Sequence, residues 1–282
     1  MKRLQTIQEL NQEISDSDKI VLVPTMGALH VGHFTLIKQA IEKAKQYGDN
    51  GKVAVSIFVN PIQFDRAVDL DSYPQPIEAD LAHCERLGVD YAFTPDSSEI
   101  YHSDRSIHVS EDSLSSLLCG ATRPGHFDGV CTVITKLFNL FQPAAAIFGL
   151  KDYQQLAIIK RLARDLNFRT EVMGGETVRE ESGLAMSSRN VGLTEASKAQ
   201  APAIRSAMLA AKAVYDRGET SADRILAAFR LHLAKHAPLS KIDYLECVCA
   251  STLQALKEVD KPAVIATAVF FKQVRLIDNI IL

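Results

Sequence analysis

The sequence predicts an α/β protein: a parallel-sheet domain over residues 1–177, then a smaller α+β domain over residues 178–282. Three observations carry that expectation. Residues 19–23 and 52–59 are short apolar runs of the kind buried in parallel sheets, and a helical pattern (Phe34, Ile37, Ala40, Ile41, Ala44) separates them. Such a strand–helix–strand unit closes as a right-handed crossover. Apolar runs at 91–95, 144–148 and 169–173 then alternate with helical stretches at 77–87, 130–141 and 153–166, so the first domain is expected to be Rossmann-like. From Thr194 onward two helices precede two strands, which is α+β order.

The elements follow from local signals. Thr6 and Glu9 have capping-box spacing and open a helix to about Ser15. Pro24 is expected to end the first strand, Gly27 and Gly32 to loosen the backbone around His30, and the helix to start at His33 and run to 47. Residues 48–51 are turn chemistry, and 65–76 a mobile polar loop. Gly88 closes the helix over 77–87. Residues 107–109 look strand-like and 113–119 form a short helix. Residues 120–129 are either a plain glycine-rich loop or, with Arg123 and His126, one that closes over a charged ligand. Asp152 is placed as the N-cap of the helix over 153–166. Thr194 caps a long helix to Arg217, kinked at Pro202 and ended by Gly218. Ser221 caps the next, and strands at 242–249 and 263–271 flank a short helix near 253–258.

Composition limits the function classes. A net charge of −3 disfavours a broad electrostatic grip on nucleic acid. The N-terminus lacks a signal-peptide apolar stretch and no run reaches the length of a membrane span, so none is expected; the cysteine usage makes a reducing cytoplasm the expected compartment. The five cysteines are odd in number and contain no CxxC pair, which argues against a disulfide framework or zinc site. Cys247 and Cys249 read as two small apolar side chains on one strand face.

The chemistry concentrates where strands end. His30 and His33 lie where a strand feeds a helix N-terminus, the position at which α/β sheets bind ligands and helix amides attract phosphate. Asn60 and Gln63 follow the second strand, and Lys151 and Gln155 flank the start of a later helix. Ser187, Ser188 and Arg189 form a hydroxyl and guanidinium cradle. GxxxxGK[ST], GxGxxG and GxSxG are absent. His30-x-x-His33 has no neighbouring carboxylate or thiolate, so no metal site is read there. The natural target of these groups is a nucleoside triphosphate attacked at its α-phosphorus. There the protein orients the substrates and stabilises charge without supplying a nucleophile.

HxGH after a strand, a later lysine and a Ser-Ser-Arg loop together resemble the nucleotidyltransferase superfamily that includes class I aminoacyl-tRNA synthetases. Six motifs in order match its pantothenate synthetase (pantoate–β-alanine ligase) family over the whole chain. They are Pro-Thr-Met-Gly-Ala-Leu-His30, Phe-Val-Asn-Pro-Ile-Gln63, Arg123-Pro-Gly-His-Phe, Lys151-Asp-Tyr-Gln-Gln155, Met186-Ser-Ser-Arg-Asn190 and Arg275-Leu-Ile-Asp-Asn279. The resemblance implies condensation of pantoate with β-alanine, using ATP with Mg2+, through a pantoyl adenylate, with release of pyrophosphate and AMP. It implies an ATP-binding segment of Met26, Gly27, Ala28, Leu29, His30, Val31, Gly32 and His33, with His33 as transition-state donor and His30 beside it at the phosphates. Gly149, Leu150, Lys151 and Asp152 take nucleotide positions, Lys151 on phosphate and Asp152 on the ribose side. Val178 contacts adenine, and Met186, Ser187, Ser188 and Arg189 form a loop closing on the phosphates. Gln63, Gln155 and Asn60 hold pantoate, and Gln63 also lies near β-alanine. The smaller domain is implied to close over the site, and the assembly to be a homodimer, with neither nucleic acid nor membrane as partner. Leu150 and Val31 replace glutamates common in the family, and Gly192 replaces a frequent tyrosine. The alternative is another HxGH-superfamily nucleotidyltransferase acting on a different small molecule.

Overall fold

A computed structural model describes residues 1–65, 70, 71 and 73–282. The loop expected over 65–76 falls partly outside the described residues. The chain forms two units: residues 1–115, 123–150 and 155–176, and residues 116–122, 151–154 and 177–282.

In the first unit six strands form one parallel sheet: β1 (Lys2–Leu4), β2 (Lys19–Thr25), β3 (Gly51–Ile57), β4 (Tyr91–Phe93), β5 (Ala145–Gly149) and β6 (Glu171–Gly175). Their order is β1-β4-β3-β2-β5-β6. Strand order runs one way from β2 through β3 to β4 and the other way from β5 to β6. The topological switch point, where such sheets bind ligands, is therefore between β2 and β5. Helices α1 (Ile7–Glu13), α2 (Val31–Lys45), α3 (Ile77–Leu87), α4 (Ser97–Ile100), α5 (His126–Phe141) and α6 (Tyr153–Asp165) complete the layers, the first residues of α6 being counted with the second unit. Ile37 and Ala40 of α2 pack on Val21, Val23, Val53 and Val55 in a closed apolar core. The capping box of α1 is present, with the Glu9 amide donating to Thr6 Oγ1 at 3.1 Å.

Several expectations are corrected here. Pro24 lies inside β2, opposite Ser56 of β3; β5 pairs only with Val21 and Leu22, so the missing N–H interrupts no ladder on that side. α2 begins at Val31 rather than His33 because His30 caps it, and Gly32 is helical rather than a loosening residue. Residues 107–109 are not a strand: the Val109 amide donates to Thr132 Oγ1 instead. The stretch 113–119 holds only a single 3-10 turn, Leu114–Ser116. Gly174 and Gly175 lie within β6, where Gly175 leaves room for Leu36. β1 was not anticipated, being too short for a periodic signal.

The second unit carries an antiparallel sheet of β7 (Ser240–Cys249), β8 (Ala263–Phe271) and β9 (Val274–Ile281) in that order. Its helices are α7 (Glu195–Gln200), α8 (Ala203–Tyr215) and α9 (Ala222–His236). Met208, Ala211, Phe229, Leu233, Val269 and Phe271 are all buried in its core. Thr194 caps as expected, accepting from the Ser197 amide at 3.3 Å, but Pro202 splits the long helix into α7 and α8 instead of kinking it. Residues 253–258 are irregular, fastened by bridges Val248–Ala255 and Ser221–Glu258 rather than helical. The five cysteines are buried thiols. Among the described residues no helix is long and apolar enough to cross a membrane.

Candidate active site

Beyond β2 the chain turns sharply. The Gly27 amide donates to Thr25 Oγ1 (3.2 Å), and Gly27 and Ala28 both adopt left-handed backbone, at φ 85° and 52°. A Cβ at position 27 would meet Asp80 Oδ2 and Ile57 Cγ2, each at 3.1 Å, so the turn requires glycine on two counts. Ala28 has a Cβ and bears a conformational cost of about 1–2 kcal/mol. Asp80 offsets it: its two carboxylate oxygens accept the Ala28 and Leu29 amides, both at 2.8 Å. Asp80 is buried on α3, some fifty positions away in the chain, and no spacing signal pointed to it. These two amides, read as part of a phosphate-binding loop, are thus already engaged.

The histidines follow. The Gly32 amide donates to His30 Nδ1 (3.1 Å), and the His30 amide donates to His33 Nδ1 (3.2 Å). An imidazole that accepts at Nδ1 carries its proton on Nε2 when neutral. Both rings are therefore set as Nε2–H donors at the start of α2, with centroids 4.2 Å apart. Val31 beside them is exposed.

Past β3, the 3-10 turn Pro61–Gln63 is built from inside. Asn60 Nδ2 donates to Gln63 Oε1 (2.9 Å) and to the Gly129 carbonyl (3.1 Å), and the Tyr101 hydroxyl donates to Asn60 Oδ1 (2.8 Å). Burial pushes the Tyr101 phenol well above its ordinary value, which keeps it a donor. Gln63 Nε2 then points at Met26 Sδ, 2.9 Å away. His126 Nδ1 donates to the Gln63 carbonyl (2.7 Å), and its Nε2 lies 3.0 Å from Arg123 Nη1. His126 is buried at the start of α5, so it braces the turn from behind. Gly129 lets α5 approach: an added Cβ would sit 2.6 Å from the Ile62 carbonyl oxygen and 2.7 Å from Gln63 Cα. Gly129→Ala is therefore expected to destabilise by about 1–3 kcal/mol, the range for overpacking against groups that cannot yield, read as a lower thermal midpoint. Gln155 lies half-buried near the start of α6 in the same unit. Leu150 closes over Gly174, where a Cβ would meet its Cγ at 3.1 Å.

In the second unit Lys151, Ser187 and Arg189 line one cleft with Arg205, Arg275 and Asp278. Its room is about 10 Å³, enough for one water-sized atom, so it presents cations at a point and does not enclose a whole nucleotide. Asn279 Nδ2 donates to the Lys151 carbonyl (3.0 Å), which fixes the backbone there. Asp152 ends a 3-10 turn, Leu150–Asp152, so helical backbone starts before the residue placed as its N-cap. Its carboxylate lies 3.9 Å from Lys151 Nζ. Arg179 holds Asp278 in a two-pronged ion pair at 2.7 and 2.9 Å, and Asp243 neutralises Arg275 at 2.8 Å. Burial, with Arg179 nearby, lowers the Arg205 pKa from its ordinary value, yet a guanidinium stays charged. The cleft is cationic on balance. Val178 and Met186 pair across a tight hairpin, the Met186 amide donating to the Val178 carbonyl (2.9 Å). Ser187 caps the 3-10 turn Ser188–Gly192 by accepting the Arg189 amide (3.2 Å), and Arg189 is exposed. Arg205 is a lone charge in a helix and carries no spacing signature, whereas Asp278 falls in the Arg275-Leu-Ile-Asp-Asn279 motif but has no role assigned from the sequence.

A parallel sheet with histidine donors at its β2–α2 junction, together with a separate cationic cleft, defines a Rossmann-like protein equipped for anionic substrates. A sequence model described as pantoate–β-alanine ligase matches residues 1–281. Pantothenate synthetase from Akkermansia muciniphila is 53% identical over 93% of this chain and 92% of its own length. Its counterpart from Fervidobacterium nodosum is 45% identical over 100% and 99%. The crystal structure of pantothenate synthetase from Thermus thermophilus superposes with a TM-score of 0.92 at 40% identity, covering 99% of each chain. A pantoate–β-alanine ligase from Francisella tularensis, solved with β,γ-ATP and β-alanine, gives 0.77 at 32% identity, covering 100% and 97%. The chain belongs to the pantoate–β-alanine ligase family and is an enzyme of the C–N bond-forming ligase class.

Proposed function

We propose that this chain joins pantoate to β-alanine at the expense of ATP through a pantoyl-adenylate intermediate. One observation carries the reading: two imidazoles locked as Nε2–H donors at a helix N-terminus beside the switch point. In the first step a pantoate carboxylate oxygen attacks the α-phosphorus and pyrophosphate leaves. In the second the β-alanine amine attacks the acyl carbon, AMP leaves, and the nitrogen loses a proton. Neither step needs an enzyme nucleophile; both need charge stabilisation on phosphate oxygens. His33 donates to those oxygens with His30 beside it, and Met26 to His33 form the nucleotide loop. Lys151 and Arg189 neutralise phosphate charge, Ser187 and Ser188 donate hydroxyls to it, and Met186 belongs to the same loop on the phosphates. Gly149, Leu150 and Asp152 take nucleotide positions, Asp152 on the ribose side, and Val178 contacts adenine. Gln63, set by Asn60, holds pantoate with Gln155 and lies near β-alanine. The Francisella ligase, solved with β,γ-ATP and β-alanine, supports two of the three substrates.

Among the described residues no three His, Cys, Asp or Glu side chains converge as a metal site. The groups assigned to phosphate are cations, imidazole donors and two serine hydroxyls, with no carboxylate among them, a poor set for Mg2+. We therefore assign Mg2+ to the substrate, arriving on the ATP phosphates. A cytoplasmic homodimer is part of the same proposal, and light scattering is expected to give about twice the 31.0 kDa chain mass.

The test is isotope exchange. With pantoate and Mg-ATP but no β-alanine, labelled pyrophosphate is expected to enter ATP, because the adenylate forms reversibly. Exchange that required a different carboxylic acid would overturn the substrate assignment. Exchange that required β-alanine would overturn the two-step order.

A further inference from the structure

We propose that Asp80 is the positioning residue of the histidine loop, setting the tautomer and aim of His30 and His33. The inference rests on the role given above to those histidines. Two consecutive left-handed residues, Gly27 and Ala28, turn successive amides toward one point, the backbone arrangement that attracts an anion. Asp80 is that anion: a carboxylate only 2% exposed, with one oxygen on the Ala28 amide and the other on the Leu29 amide, each at 2.8 Å. The next amide along the chain, that of His30, donates to His33 Nδ1, and the Gly32 amide donates to His30 Nδ1. The carboxylate thus ends a continuous sequence of backbone contacts that reaches both rings. It also occupies the amide cradle itself, which leaves the imidazoles, not the loop backbone, as the groups presented to phosphate. A carboxylate is required because both of its oxygens must accept. In Asp80→Asn the amide nitrogen would face an N–H.

Asp80→Asn is expected to lower kcat for pantoate-dependent exchange by about 10–100-fold, the range for losing a group that orients a working histidine. KM for pantoate should change little. Nitrogen-15 spectra of the labelled enzyme should show His30 and His33 as single Nε2–H tautomers, and as averaged or shifted signals in the variant. Adding Ala28→Gly to Asp80→Asn is expected to restore part of kcat, because glycine holds the left-handed backbone without the carboxylate. Leu81→Ala, on the same helix, controls for a general loss of packing and should leave the ring signals unchanged. If Asp80→Asn fails to fold, Ala28→Val disturbs the loop from its other side, since a branched side chain is strained in left-handed backbone, and should give the same spectral change. Ring signals identical to wild type in these variants would overturn the positioning role. Altered rings with unchanged kcat would leave Asp80 in that role and overturn the histidine assignment.

Discussion

His33→Ala is expected to reduce kcat by about 10²–10³-fold, or ~2.7–4 kcal/mol, the loss seen when one preorganised donor to developing charge is removed. The size follows from preorganisation. His33 is held at Nδ1 by the His30 amide, so in the proposed role its Nε2–H meets the phosphates with little reorientation left to do. Alanine removes the donor and strands the His30 amide, which disturbs the cap of α2 as well. Steady-state turnover and pyrophosphate exchange should fall together, because in the proposed mechanism both depend on attack at the α-phosphorus. Exchange at the wild-type rate would place charge stabilisation elsewhere, with Lys151 the first residue to examine.

Arg179→Met is expected to cost about 3–5 kcal/mol of stability, measured as a shift in the urea midpoint. Asp278 is only 3% exposed at its side chain, and Arg179 meets both of its oxygens. Methionine conserves much of the volume but leaves a buried carboxylate that keeps the Asn279 amide and loses both guanidinium bonds. The same change removes the donor to the Gly183 carbonyl that pins the hairpin preceding Ser187. The double variant Arg179→Met with Asp278→Asn should be less destabilised than the single one, because no charge is then stranded. Equal losses in both would mean that the guanidinium acts by packing and not by pairing.

What could be read from the chain beforehand depended on distance along it. β2, α2 and the placing of His30 and His33 at the start of that helix are legible because strand periodicity, glycine and helix periodicity occur within one short stretch. So were the capping box at Thr6 and Glu9 and the cap at Thr194, both of which are local contacts. The groups that hold the site in shape were not legible. Asp80 clamps a loop some fifty residues away, Gly129 matters only because α5 packs against the Pro61–Gln63 turn, and Asn279 reaches Lys151 across 128 positions. Each is an ordinary residue until the fold supplies its neighbour. β9 was passed over for a related reason. Arg275, Asp278 and Asn279 interrupt its apolar pattern; Arg275 and Asp278 line the cationic cleft, and Asn279 donates to the Lys151 carbonyl. For the glycine-rich stretch at 120–129 the sequence leaves open a plain loop or one that closes over a charged ligand; in the structure His126 is a buried brace whose Nδ1 donates to the Gln63 carbonyl.

The bond from Asn279 to the Lys151 carbonyl has a consequence for when this enzyme becomes competent. Translation makes Lys151 long before it makes β9, the last strand of its sheet, so a growing chain has its lysine without the amide that fixes it. Closing so distant a contact is slow compared with forming local helices and turns. A nascent chain with its histidine loop already shaped would still lack a settled Lys151 backbone. On the proposed role of Lys151, the arrangement links the onset of activity to completion of the second unit's sheet, and lesions in the edge strand are expected to reach a residue far away in sequence.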